Sequence, residues 1–457
     1  MLRVYFMRFT SVILAGLFLP NLPAAMTSPA SPHYQVTLSG AGGSVSPFVH
    51  FSRAQKPDSN RSKDISWASF ALDGRVAIRI GVTGRSVSQV KILPSSRAVA
   101  VTLTDGIARF ELDHPGQYAV EFDGDGTHPL FLFAEPPEKD APSATDPDVL
   151  YFGPGEHPLG DKFIEPKAGQ TVYLAPGAIV HGRIRITQAP GVTIRGRGIL
   201  RGGHLPGNPP NTYTVPHAIE ADQASSGVTV EGITVVESPH YQILLRGDDC
   251  VVRNVKLMGW WFGTDGIGTG RRGLVEDSFL RCNDDALKLY QSGMVVRRCV
   301  IWQMENGAPF QLSWNMNPDN AGFRVSDIDI IAVDHHQDAN NRAIFNSIHG
   351  GRAHLSDYLF ENIRIENARF RLLMLQIKKT NWAKAKEWGR LSNITLRNIS
   401  ADGPFTERSV ISSDDPDGRI DNVIFENVRI GGKPVKGMAD LGLEIDPGTV
   451  SGLQFLP

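Results

Sequence analysis

A short unit, two β-rich stretches joined by a tight corner, recurs through the second two-thirds of the chain and limits its fold more than any other feature. The runs at 228–235, 251–257, 274–280 and 294–301 alternate apolar with polar residues and break at Gly232, Asn254, Asp277 and Arg298. These corners lie 22, 23 and 21 residues apart. Later units, at 323–330, 359–365, 394–399 and 423–430, turn at Asp327, Asn362, Asn398 and Asn427, spaced by 29 to 36 residues. A period just above twenty residues makes one coil of three short parallel strands. The corners need residues that tolerate a left-handed backbone, hence Asn, Asp and Gly. No coil buries its apolar face alone, so the coils must stack. Helical periodicity is nearly absent, which argues against a leucine-rich horseshoe or a helix-clad barrel. The expected fold is all-β, with a right-handed parallel β-helix over residues 148–457.

The region before the repeat reads differently. Residues 32–140 hold short β runs, such as 76–80, 98–103 and 118–122, separated by Gly, Asp and Pro, and predict a β-sandwich. A Pro-, Asp- and Ser-rich stretch at 135–147 serves as the linker. Residues 1–25 have Arg3 and Arg8, an apolar run at 11–19 and small residues at Ala24 and Ala25. That order predicts a secretory signal peptide, too short to span a bilayer, and a secreted or periplasmic protein. The net charge of -2 gives no long-range attraction to nucleic acid or membrane. Three cysteines, Cys250, Cys282 and Cys299, match no zinc spacing and are expected as buried or free thiols, with room for one disulfide.

Two stretches carry chemistry: Gly263-Thr264-Asp265-Gly266, and the segment from Asn283 through Asp284, Asp285 and Lys288 to Tyr290. Asp265 precedes the pair by 19 and 20 residues, nearly one coil, so three carboxylates should meet on neighbouring rungs about 4.8 Å apart. Strand parity points Leu287 and Leu289 inward, and Asp284, Ala286, Lys288 and Tyr290 outward. Asp285 shares the inward parity, where a carboxylate is costly, so a bend at 283–285 is expected. Mutual repulsion raises one carboxyl's pKa. That leaves an acid beside bases, as glycoside hydrolysis requires. Lys288 moderates the repulsion or holds a sugar hydroxyl. Spacing alone also leaves open a calcium site or a solvated acidic corner.

Residues 148–330 resemble glycoside hydrolase family 49, which contains dextranase and isopullulanase. The resemblance is carried by residues 148–155, 172–178, Thr264-Asp265-Gly266, 283–290, Ser292-Gly293 and Ile301-Trp302, and less clearly by 431–435. It implies Asp284 as general acid, Asp265 and Asp285 on the base side activating water, inversion of configuration across carboxyl groups far enough apart to admit that water, and neither cofactor nor metal. The family 28 polygalacturonases are more distant: their Gly-His-Gly and Arg-Ile-Lys motifs find only faint echoes at 348–351 and 376–379. A neutral polysaccharide is therefore expected, foremost an α-glucan such as dextran, cut at internal 1,6-linkages, or pullulan. An arabinan- or pectin-type glycan, a lyase on the same fold, and a glycan-binding β-helix without turnover are the alternatives. A monomer is expected.

Around the carboxylates, Asn283, Trp261, His240, Tyr241, Lys288, Tyr290 and Gln311 are the candidate substrate contacts. Trp261 offers a ring face, and His240-Tyr241 stand one rung before Asp265. Gln311 should face outward one rung after the pair. Trp314 takes inward parity from Leu312. His335-His336 and Lys378 are weaker candidates. Asp123-Gly124-Asp125-Gly126 reads as a hairpin turn.

Overall fold

The computed structural model describes residues 29–457, except 41–42, 54–63, 204–215, 338 and 382–384. The expected signal peptide lies outside the described residues. Within 34–135, ten strands form two five-stranded sheets. Apolar residues of both sheets meet between them: Val36, Leu38, Ile78, Ile80 and Phe110 from one, Ala68, Tyr118, Val120, Phe122 and Leu132 from the other. This is a β-sandwich. From Val149 onward a thirty-stranded sheet follows, almost wholly parallel, in which each strand pairs with the strand one coil later. It is a parallel β-helix. The one α-helix among the described residues is the single turn Met438–Leu441.

The corners behave as their composition requires. Gly232, Asn254, Asp277, Arg298, Asp327, Asn362, Asn398 and Asn427 all have φ between +48° and +80°. On the later coils their side chains form a ladder. Asn362 Nδ2 donates to Asp327 Oδ1 (3.1 Å), Asn398 to Asn362 (3.0 Å) and Asn427 to Asn398 (2.8 Å). Each amide satisfies its neighbour one rung away, and the column fixes the rung-to-rung register. The helix interior is a continuous apolar column that includes Ile194, Val230, Val252, Val275, Val296, Val325, Phe360, Leu396 and Phe425. Cys250, Cys282 and Cys299 are buried free thiols.

The sandwich is seated on one flank of the helix. Ile65, Trp67, Phe131 and Phe133 interlock with Val236, Met258, Phe279, Val300 and Trp302. The Phe131 ring lies 4.7 Å from Phe279. Fully buried Lys256 crosses this seam to Glu135 Oε2 at 2.8 Å. Arg201 pairs with Glu237 through two contacts of 2.8 and 2.6 Å, and Ser52 of the sandwich donates to the same carboxylate. Trp261 belongs to this apolar seam and is 8% exposed. The expectation of a sugar-facing ring is therefore corrected. Its position before Asp265 is right, but the ring is buried in the apolar cluster that joins helix and sandwich.

Candidate active site

The site grows from one face of the helix. Strands Ile243–Leu245, Ile267–Thr269, Leu287–Lys288, Phe310–Gln311 and Phe345–Ile348 stack in register, which aligns Leu244, Gly268, Lys288, Gln311 and Asn346. One turn upstream, Gly266 N–H donates to Asp285 O (3.0 Å) and Ala308 N–H to Asp285 Oδ1 (3.2 Å). Asp265 and Asp285 therefore occupy the same place on adjacent rungs. Asp284 stands beside Asp285, and carboxylate oxygens of all three lie within 4.8 Å of one another.

Backbone geometry makes this crowding feasible. The chain bends at Asn283, Asp284 and Ala286, as parity demanded. The bend turns Ala286 into the apolar core with Leu287 and Leu289, a correction to its expected outward face. Gly266 is required, because a Cβ there would sit 2.2 Å from Ala286 O. Gly307 has φ of +80°, and a Cβ there would fall 2.0 Å from the carbonyl carbon of Asp284. Thr264 Oγ1 donates to Trp261 O (2.7 Å) and accepts from Asn283 N–H (3.3 Å), tying the two acidic segments together.

Lys288 is the counter-charge. Its Nζ lies 2.5 Å from Asp265 Oδ1 and 2.7 Å from Asp285 Oδ2, with the rings of Tyr241 and Tyr290 at 5.1 and 5.4 Å. Its ammonium fills the place that a cation bridging these carboxylates would take, and the two carboxylates push its pKa well up. Burial also raises Asp265 against this pull. The neighbouring Asp284 and Asp285 add to the rise, so the Asp265 pKa stands well above the ordinary carboxylate value despite the ammonium in contact. Asp284 has no such partner. It accepts hydrogen bonds from Asn306 Nδ2 (3.0 Å) and from Asp285 N–H (2.9 Å). Burial first, then the charge of Asp285, lifts its pKa to about 7. Asp284, the carboxyl without an ammonium contact, thus faces Asp265 and Asp285, both in contact with Lys288.

These groups line an open hollow of about 430 Å³ together with Tyr241, Asn306, Trp314 and residues 339–341. A second hollow of about 350 Å³ adjoins it, sharing Tyr241 and Lys288 and adding Tyr290, Leu244 and Gly268. Another hollow, of about 550 Å³, lies in the seam with the sandwich. There Arg298 is paired with Asp277 and Arg364 with Asp329, and no acid–base constellation forms.

The structure redistributes the candidate contacts. Tyr241, Lys288 and Tyr290 line the hollows. Asn283 does not. It is fully buried, its Nδ2 donates to Trp260 O (2.7 Å) and its Oδ1 accepts from Asn306 N–H (3.0 Å). Gln311 has the expected parity but is covered: it donates to Ser313 O (2.8 Å) and accepts from Asn346 Nδ2 (2.7 Å). Buried His240 packs edge-on against Tyr241, 5.0 Å between ring centres, behind the site. His335 is buried against Gly307 O (2.7 Å) and supports the Asp284 turn from below.

Two residues enter that parity hid or did not address. Trp314 leaves the strand after Gln311, turns into the hollow and donates its Nε1 hydrogen to Asp285 Oδ2 (3.2 Å). Asn306 reaches Asp284 from the next rung. Its position 22 residues after Asp284, beside Gly307, was the available signal. Trp314→Phe keeps a ring but deletes the donor. A hydrogen bond to a buried carboxylate contributes about 1.5–3 kcal/mol, so kcat should fall roughly 10- to 100-fold with KM little changed. Steady-state kinetics on the wild-type substrate checks this, and unchanged kcat would remove Trp314 from the machinery.

No family model matches the chain. It is 26% identical to the dextranase of Arthrobacter sp. (strain CB-8), over 81% of this chain and 74% of that enzyme. It is 23% identical to the isopullulanase of Aspergillus niger, over 73% and 70%. This chain is a homologue of the dextranases and isopullulanase. The resemblance to family 49 is borne out at this level, and with it the reading as an O-glycoside hydrolase. The structure of Dex49A from Penicillium minioluteum superposes with a TM-score of 0.75 at 19% identity, over 94% of this chain and 95% of that one, so this dextranase homologue shares its fold.

Proposed function

We propose that this dextranase homologue is a secreted, inverting hydrolase of a neutral α-glucan, with dextran the first substrate and pullulan the second. The observation that carries the reading is Asp284, its pKa lifted to about 7, facing Asp265 and Asp285, which both contact Lys288 in an open cleft. Asp284 gives its proton to the glycosidic oxygen. Asp265 and Asp285 orient a water and take its proton as it attacks the anomeric carbon. Among the described residues lining the catalytic hollow, Lys288 is the one cation, and it is committed to two carboxylates. Arg246 and Arg271 line the adjoining hollow, Arg271 in contact with Asp248, so the preference for a neutral sugar over a uronate rests on the catalytic hollow itself. A lyase needs a neutral Lys or an Arg as base, and Lys288 is held charged.

The carboxylate separation is shorter than expected. Inverting enzymes with two carboxyl groups hold them about 6.5–9.5 Å apart, whereas these oxygens lie within 4.8 Å. Adjacent rungs and adjacent residues enforce the closeness. Inversion is supported instead by the engagement of Asp285. It accepts from Ala308 N–H, Lys288 and Trp314, and such a carboxylate positions water better than it attacks carbon. We further take residues 1–25 as a signal peptide, 32–140 as an accessory sandwich domain and 148–457 as the catalytic domain of a monomer. No helix among the described residues is long and apolar enough to cross a membrane.

Release of reducing ends from dextran, pullulan, arabinan and polygalacturonate tests the substrate. Turnover of the first or second is expected, and preference for polygalacturonate would overturn the reading. Proton NMR of the nascent product tests stereochemistry. A β-anomer is expected from an α-linkage, and a first-formed α-anomer would instead assign a nucleophilic carboxylate.

A further inference from the structure

The sandwich holds a second cluster of metal-ligand type, remote from the carboxylates. His33 leads into the strand Tyr34–Gly40 of one sheet, and Asp64 opens the strand Asp64–Ala71 of the other. His128 stands two residues before Leu130–Glu135, which pairs in parallel with Asp64–Ala71 through Leu130 and Ser66. Carried back two residues, that register sets His128 beside Asp64. One ligand atom from each of the three lies within 4.8 Å of the other two.

Three details distinguish this cluster from a chance meeting. His33 Nε2 is buried and makes no hydrogen bond. It sits 3.5 Å from Asp64 Oδ2, long for a hydrogen bond but close to the edge of a tetrahedron whose metal–ligand bonds are about 2.0–2.1 Å. His128 Nδ1 is 2.9 Å from both Asp125 Oδ2 and Thr127 Oγ1, contacts that hold the imidazole in place. A carboxylate behind a ligating His is the usual outer support of a zinc site. Arg53 grips both oxygens of Asp64 at 2.7 Å, which orients the carboxylate and also tempers its charge.

We propose that His33, Asp64 and His128 form a site for a divalent transition metal of the zinc class, with a fourth position left to water. Two imidazoles and one carboxylate suit zinc rather than calcium or magnesium. Ligands from both sheets make the metal a staple across the open end of the sandwich, so it raises stability without entering hydrolysis.

Calorimetric titration of the chelator-stripped full chain with Zn²⁺ alone is expected to show one equivalent bound and a raised Tm. His33→Gln combined with His128→Gln should abolish that equivalent and leave glycan hydrolysis intact. Asp284→Asn should retain it, which separates this cluster from the catalytic aspartates. Co²⁺ bound to the unaltered chain should give the intense visible bands of a tetrahedral site, a readout that stands even if the double variant fails to fold. Absence of saturable Zn²⁺ binding, an equivalent that survives the double substitution, one lost in Asp284→Asn, or weak octahedral Co²⁺ bands would each overturn the proposal.

Discussion

Asp284→Asn should lower kcat by roughly 10²- to 10⁴-fold while leaving KM near its original value, because proton donation to the leaving oxygen is needed in the transition state and not for binding. The same carboxyl sets a pH limit. Its pKa of about 7 means that activity falls as pH climbs through neutrality and the acid is lost. Stability follows with a definite sign. A carboxyl raised from 3.8 to about 7 in the folded state contributes its full stability below its unfolded pKa and loses it as pH rises through 7. The Asn variant carries no such liability and should melt higher than the parent above neutral pH. A pH–kcat profile and melting curves on both proteins check this. Full turnover by Asp284→Asn, or a variant less stable than the parent at alkaline pH, would remove Asp284 from the acid role.

Lys288→Met should be as damaging by a different route. The ammonium neutralises two carboxylates that are 3% and 1% exposed. Removing one partner of a buried ion pair costs about 3–5 kcal/mol, so the melting temperature should fall by on the order of 10 °C. Asp265, freed from its cation, should then hold its proton more tightly still, and the base side of the site weakens. What activity remains should peak at higher pH than in the parent, because loss of the ammonium raises Asp265 and Asp284 together. Thermal melts with a pH–rate profile test both parts. A variant with unchanged Tm and an unchanged profile would mean that Lys288 is a bystander.

The helix was legible because its corners obey a steric rule. Asn, Asp and Gly tolerate positive φ, so their spacing printed the rung length, and Asp265 with Asp285 followed from a separation of nearly one coil. The substrate contacts were less legible. Parity states which side of a strand a residue takes, but not what covers that side. Gln311 took the expected side and lies beneath Asn346. Trp261 is buried in the cluster that joins helix and sandwich, and a local pattern in the helix holds no record of that packing. Asn283 adjoins the acids and so reads as a ligand contact, whereas its amide is consumed in bracing them. Trp314 was set inward by continuing a strand that ends at Gln311. Tyr241 was legible because it shares a rung position with Asp265, and Lys288 because its parity turns it outward three residues after Asp285.

The seam between sandwich and helix bears on how such an enzyme can change over evolutionary time. Glu135 belongs to the sandwich, but its charge is answered by Lys256 and Arg197 of the helix. Phe279 and Val300 are covered by Phe131 and Phe133. Excision of the first 140 residues would strand a buried ammonium and expose a greasy flank, so the catalytic half expressed alone should precipitate. The sandwich is thus no detachable appendage to be shuffled among enzymes. Loss, gain or exchange of that module requires simultaneous rewriting of the rungs beneath it, which ties the two parts into one inherited unit.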